Sequence, residues 1–196
     1  MQQNKRFSPH LQVVGIGAVV DFPNLDPFFH NAFSLFNGRR FDLGLYESGA
    51  TRAATFSKPG VSYIFCNIHP EMTAVVVSLN TPYYAVSSRT GDVGLKDVPA
   101  GRYTLSVWHE RYTLEHPDEY PRTIVVSPGT TFGVIRFVEA DEVAAPHKTS
   151  TARTTTQCRP GHSIAAAARH RVDLQIGRPG IRVGRRDRWP MASLII

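Results

Sequence analysis

Where apolar and polar residues alternate in this chain, they change places every second position, not every third or fourth. Phe41, Leu43 and Leu45 alternate with Asp42, Gly44 and Tyr46, the period of a half-buried strand. Residues 11–22 are apolar and β-branched and run into Pro23-Asn24-Leu25-Asp26-Pro27, which predicts one strand closed by a turn. A strand is predicted at 32–36, just after His30, and Asn37-Gly38 is a hairpin signal. Residues 52–56 and 61–65 flank the turn Lys58-Pro59-Gly60, and 73–79 is an unbroken apolar run that suits a central strand.

A second group of extended segments is predicted at 83–87, 93–95, 102–108, 123–126 and 131–138. Turn residues at Thr90-Gly91-Asp92, Pro99-Ala100-Gly101 and Pro128-Gly129 separate them. No segment of the body sustains a helical period, so the expected class is all-β. From about Ala144 the pattern is lost: 149–156 is rich in Ser and Thr, 165–168 is alanine, and 178–188 is rich in Gly and Arg. Such composition cannot offset chain entropy. The expected organisation is therefore a first β domain over 1–80, a second small β segment over 81–143, and a disordered basic tail over 144–196.

Charge sharpens that division. Residues 1–144 hold 12 Lys/Arg against 14 Asp/Glu, whereas 145–196 hold 10 against 2, so the formal +6 comes from the tail. A basic tail can bind nucleic acid or anionic lipid, but a solvated tail is the simpler reading, and no nucleic-acid partner is expected. No run approaches the ~20 apolar residues needed to cross a bilayer. The apolar run 13–20 leads into Asp21-Phe22-Pro23-Asn24 and reads as a strand, not as the core of an export signal.

The chemistry concentrates in Cys66-Asn67-Ile68-His69-Pro70-Glu71-Met72, with a second imidazole upstream in Phe28-Phe29-His30-Asn31. Two His, one Cys and a weak axial Met are the ligands that hold copper in blue electron-transfer sites. Pro70 would stiffen the loop by fixing φ, and Phe28, Phe29 and Phe65 would surround the site with apolar bulk. Other readings stay open. Cys66 can be an ordinary buried cysteine, Cys-x-x-His can be half of a zinc site, and a bond to Cys158, the only other cysteine, would remove the thiolate. Asp26 and Glu71 flank the loop and read by default as solvated charges, or as groups that steer a cationic partner.

At these residues the chain resembles the cupredoxins, the plastocyanin and amicyanin family of small blue-copper proteins. The resemblance lies in Phe7-Ser8-Pro9, in Gly17, Val20, Phe22, Asn24 and Asp26, in His30-Asn31, and in the seven-residue loop from Cys66 to Met72. It implies a Greek-key β-sandwich with His30, Cys66, His69 and Met72 as copper ligands. It also implies that Asn31 ties the two ligand segments by a hydrogen bond. Only six residues precede Phe7, where the family has a strand, so an N-terminally shortened form of an exported protein is expected. A periplasmic or other extracytoplasmic home follows from the resemblance, although no signal peptide is visible. Residues 85–92 and 95–108 resemble carboxypeptidase regulatory-like β-sandwich modules, which are not catalytic. The whole body is similar to cupredoxins of the methylamine utilisation protein type.

Weaker signals point elsewhere. Trp108-His109-Glu110 and His116 read as a strand end and a polar turn. Gly15 and Gly17 lack the third glycine of a dinucleotide loop, and no Gly-x-Ser-x-Gly elbow occurs. The expectation is a non-enzymatic, one-copper, single-electron carrier that meets a cytochrome or oxidoreductase by transient contact. The rival expectations are a copper store or delivery module and a metal-free β-sandwich interaction module.

Overall fold

The computed structural model describes residues 1–35, 38–110, 112–114, 121–129, 131–139, 170–176 and 193–195. Every regular element among them is a strand. The chain divides into two compact units, the first over Met1–Pro82 and the second beginning at Tyr83.

In the first unit a hairpin of β1 (Gln2–Gln3) and β2 (Arg6–Phe7) leads into β3 (Leu11–Gly15) and β4 (Ala18–Pro23). Next come β5 (His30–Ser34), β6 (Phe41–Tyr46), β7 (Thr51–Phe56), β8 (Gly60–Phe65) and β9 (Thr73–Leu79). Five strands form one sheet in the order β3-β9-β8-β5-β6, and β4 pairs with β7 in a second. Val20 and Phe22 of β4 and Ala54 and Phe56 of β7 turn inward, meeting Ala32, Tyr46, Ile64, Ala74 and Val76 in one core. Their outward neighbours are exposed, so alternation along β4 and β7 builds one wall of a sandwich. By contrast β9 is buried along nearly its whole length, which explains its unbroken apolar run.

The single strand expected over 11–22 is two strands. Gly17 takes a positive φ of 87°, open to glycine at no steric cost, and breaks the run at Ile16-Gly17. Before the break β3 pairs with β9 in parallel; after it β4 pairs with β7. The break therefore moves the chain from one sheet to the other. The turn between β5 and β6 has its own steric demand, because it packs against β8. A Cβ on Gly38, at φ 83°, would lie 2.8 Å from the Val61 carbonyl oxygen, so this position accepts only glycine.

The second unit contains β10 (Tyr84–Val86), β11 (Asp92–Leu95), β12 (Gly101–Trp108), β13 (Tyr112–Leu114), β14 (Arg122–Val126) and β15 (Thr131–Glu139). With them are β16 (His170–Ile176) and β17 (Ser193–Ile195). Two four-stranded sheets result, β10-β17-β12-β14 and β11-β16-β15-β13, with Val93, Leu95, Leu105, Ile124, Val126 and Ile135 packed as the core. The strands β16 and β17 lie in the stretch that reads from sequence as a disordered basic tail. In β16, Val172, Leu174 and Ile176 alternate with Arg171, Asp173 and Gln175, a strand period hidden inside basic sequence. The Ser/Thr-rich, alanine and Gly/Arg-rich stretches of the tail lie outside the described residues, as do His116 and Cys158.

Candidate metal centre

Cys66 directly follows β8, and Thr73 opens β9, so residues 66–72 are the loop of a β-hairpin whose last register pair is Phe65 with Thr73. Two backbone bonds shape that loop. Cys66 N donates to Met72 O at 3.2 Å and closes its base, and Met72 N donates to His69 O at 2.9 Å. The second bond closes a four-residue turn with Pro70 at its second position, where the fixed φ of proline is already correct. The spacing of Cys66, His69 and Met72 is thus set by a local turn.

His30 reaches this loop through sheet register. It opens β5, whose Phe33 pairs with Phe65 of β8, so the start of β5 lies beside the end of β8. Cys66 Sγ then stands 3.8 Å from His30 Nδ1 and 3.7 Å from His69 Nδ1. All three donor atoms lie within 4.8 Å of one another. With bonds of about 2.3 Å to sulfur and about 2.05 Å to nitrogen, a trigonal angle separates the two donors by about 3.8 Å and a tetrahedral angle by about 3.6 Å. The observed spacings suit a thiolate and two imidazoles sharing one ion near a common plane. His30 and Cys66 are 0% exposed and Met72 1%, while His69 is half-buried. Met72 packs in the same core as Cys66, and Cys66 is a free cysteine. Among the described residues no other group of three His, Cys, Asp or Glu is placed to share an ion.

The surroundings correct two sequence expectations. Phe28 packs against both imidazoles, with ring centroids 5.2 Å from His30 and 5.6 Å from His69, but Phe29 is 53% exposed and encloses nothing. Phe65 stacks on Phe33 at 5.8 Å, bracing β8 next to Cys66. Asp26 is the larger correction. It is no solvated or steering charge: it is buried, and its Oδ2 lies 2.8 Å from His30 Nε2. A carboxylate can only accept, so Nε2 carries the proton and Nδ1 offers its lone pair toward Cys66. Burial pushes the Asp26 carboxyl up, yet bonds from Lys5 N, His30 and Asn4 N together hold it below the usual carboxylate range. Glu71 is exposed, in keeping with a solvated charge.

Further residues complete the site. Asn31 Oδ1 accepts the Asn67 backbone N–H at 2.8 Å. Asn24 is 0% exposed; its Nδ2 donates to Phe28 O at 2.8 Å and its Oδ1 accepts from Asp26 N at 3.1 Å, folding the loop that delivers His30. Tyr46 pairs with His30 across β5 and β6 and accepts a hydrogen bond from Gln2 Nε2. Its phenol is pushed up to about 12, chiefly by burial and further by the charge of Cys66. Burial, then His30 and Lys5, push the His69 imidazole below its usual value, which keeps it neutral and able to ligate at neutral pH. Asn24 and Asp26 stood in the motif that carries the family resemblance, but their burial was not legible there.

No family model matches the chain, and no curated protein does. Solved structures do. A purple cupredoxin from Nitrosopumilus maritimus is 25% identical over 37% of this chain and 80% of its own, with a TM-score of 0.34. A copper-containing nitrite reductase from Thermus scotoductus SA-01 is 25% identical over 39% of this chain, with a TM-score of 0.37, and the match spans only 20% of the reductase. An oxidised amicyanin variant is 18% identical over 39% of this chain and 76% of its own, with a TM-score of 0.37. A purple cupredoxin and an amicyanin, of the family that the Cys66 loop resembles, are among the solved structures to which this chain is similar.

Proposed function

We propose that this chain binds one copper ion at His30, Cys66, His69 and Met72 and carries single electrons between redox partners. The observation that carries this reading is the placement of the Cys66 sulfur between two imidazole Nδ1 atoms at 3.7 and 3.8 Å. A copper ion held there would supply a reversible one-electron couple between Cu(I) and Cu(II). The chain's own residues make the site rigid. His30, Cys66 and Met72 are enclosed in the core, and the bonds of Asp26 and Asn31 restrain the segments that bear the ligands. A rigid donor set favours electron transfer over release of the ion, which sets this reading ahead of a store or delivery module.

His69 is the ligand nearest solvent. Beside it in the chain Ile68 is 45% exposed, and Phe28, which packs on its ring, is 36% exposed. An apolar rim of this kind suits a small, short-lived contact with a cytochrome or oxidoreductase. The reading includes an extracytoplasmic location and no catalytic turnover by this chain.

Titrating purified protein with Cu(II) tests the proposal. An intense visible thiolate-to-copper band at one equivalent is expected, and Cys66→Ser should lose it. A protein that takes up Cu(II) but yields it at once to a mild chelator would be a delivery module. One that takes up no ion would leave only the interaction-module reading.

A further inference from the structure

The β1–β2 hairpin has no ligand of its own, yet it touches the site in two ways. Asn4 N donates to Asp26 Oδ1 at 2.7 Å and Lys5 N to Asp26 Oδ2 at 2.9 Å. These two residues form the tip of the hairpin, and both take a positive φ of 55°. Asn tolerates that region; Lys adopts it rarely. A lysine held there marks a turn whose two N–H groups are aimed for a purpose. The Lys5 ammonium also lies 5.6 Å from the Phe28 ring centroid, over the ring that packs on both imidazoles.

The hairpin is itself well anchored. Gln2 is 0% exposed and Phe7 packs in the core, and Leu25 N donates to Gln2 O at 2.9 Å. A relay of fixed groups therefore runs from the turn, through the Asp26 carboxylate, to His30 Nε2 and across the ring to the Nδ1 facing Cys66.

We propose that the Asn4-Lys5 turn and Asp26 act as one positioning unit for His30, and set the preference of the site for oxidised over reduced copper. The inference rests on the copper reading above. Two bonds from the turn fix the carboxylate, and the carboxylate fixes the ring tautomer and its direction. A desolvated negative charge on the far side of the imidazole favours the more highly charged ion. Removing partners of this kind typically costs about 10–100-fold in metal affinity. Here the loss falls more heavily on Cu(II) than on Cu(I).

Three variants test this: Asp26→Asn keeps the volume and removes the charge, Lys5→Pro removes the N–H and forbids the positive φ, and Lys5→Gly keeps both. Nitrogen NMR of the apo-protein at pH 7 should show His30 protonated at Nε2 in the parent and in Lys5→Gly. In the other two variants the tautomers should be mixed. In the copper-loaded proteins Asp26→Asn should lower the ratio of Cu(II) to Cu(I) affinity roughly tenfold, which raises the potential by about 59 mV. A loaded parent whose Asp26→Asn variant keeps both the tautomer and the affinity ratio would overturn this proposal alone. A shifted tautomer with an unchanged ratio would also overturn it. A parent that takes up no copper would overturn the copper reading and this proposal with it.

Discussion

Asn31 and Asn67, 36 residues apart, are joined by a hydrogen bond of 2.8 Å from the Asn67 backbone N–H to the Asn31 side-chain oxygen. The bond links the start of β5, next to His30, to the loop that carries Cys66 and His69. It ties the two segments that bear the candidate ligands directly to each other.

Replacing Asn31 by Ala should therefore loosen the site more than it destabilises the fold. The freed N–H belongs to an exposed residue and can turn to water, so the cost should be about 1 kcal/mol, read as a Tm drop of the apo-protein. Electron self-exchange of the copper form should slow as well, because the two segments would shift between oxidation states. An unchanged self-exchange rate would assign Asn31 to stability alone.

His30 and His69 should respond differently to removal. His30 is 0% exposed and pinned by Asp26, whereas His69 is half-buried at the tip of a loop. In His69→Gly, free imidazole should enter from solvent and restore the visible band. In His30→Gly it should not, because that position is fully buried. Titration of both variants with imidazole, followed by absorbance, checks this.

Met72 packs in the core and, on the copper reading, is also the axial ligand, and two substitutions separate these roles. Met72→Leu conserves volume and should cost less than about 1.5 kcal/mol, while raising the potential because a donor to Cu(II) is lost. Met72→Ala removes core volume as well and should cost about 2–5 kcal/mol. Urea unfolding of the apo-proteins and voltammetry of the loaded ones read the two effects separately. Equal potentials in the parent and Met72→Leu would remove Met72 from the ligand set.

The Tyr46 phenol, pushed up to about 12 by burial, makes a prediction at alkaline pH. The unfolded chain releases this proton near its ordinary value of about 10, whereas the folded protein keeps it. Above that value the unfolded state binds fewer protons, so stability is complete below pH 10 and declines as pH rises through about 12. Tyr46→Phe should be less stable at neutral pH, because Gln2 Nε2 loses its acceptor, but its profile between pH 10 and 12 should be flatter. A parallel decline in both proteins would mean that other groups dominate there.

Local physics made much of this legible before any coordinates. Alternation over residues 41–46 and the apolar run of β9 predict strands because side-chain direction in a strand depends only on position along it. The loop from Cys66 to Met72 is legible for a similar reason, since a four-residue turn between two strands fixes the spacing of its own side chains. His30 was legible as a second imidazole, but its place beside Cys66 was not. Its approach to Cys66 depends on how β5 pairs with β8, a long-range choice that no short window contains. The corner at Ile16-Gly17 was hidden because both strands it joins are apolar, and only their different partners separate them. Asp26 was the deepest omission. In sequence it is a charge in a turn, and what makes it part of the site is desolvation together with two N–H groups from a hairpin more than twenty residues away. Sequence by itself determined which side chains could bind an ion; tertiary structure decided which were buried, which nitrogen faced the sulfur and what held it there. Burial and orientation arise from every element packed around a group, and no single segment encodes them.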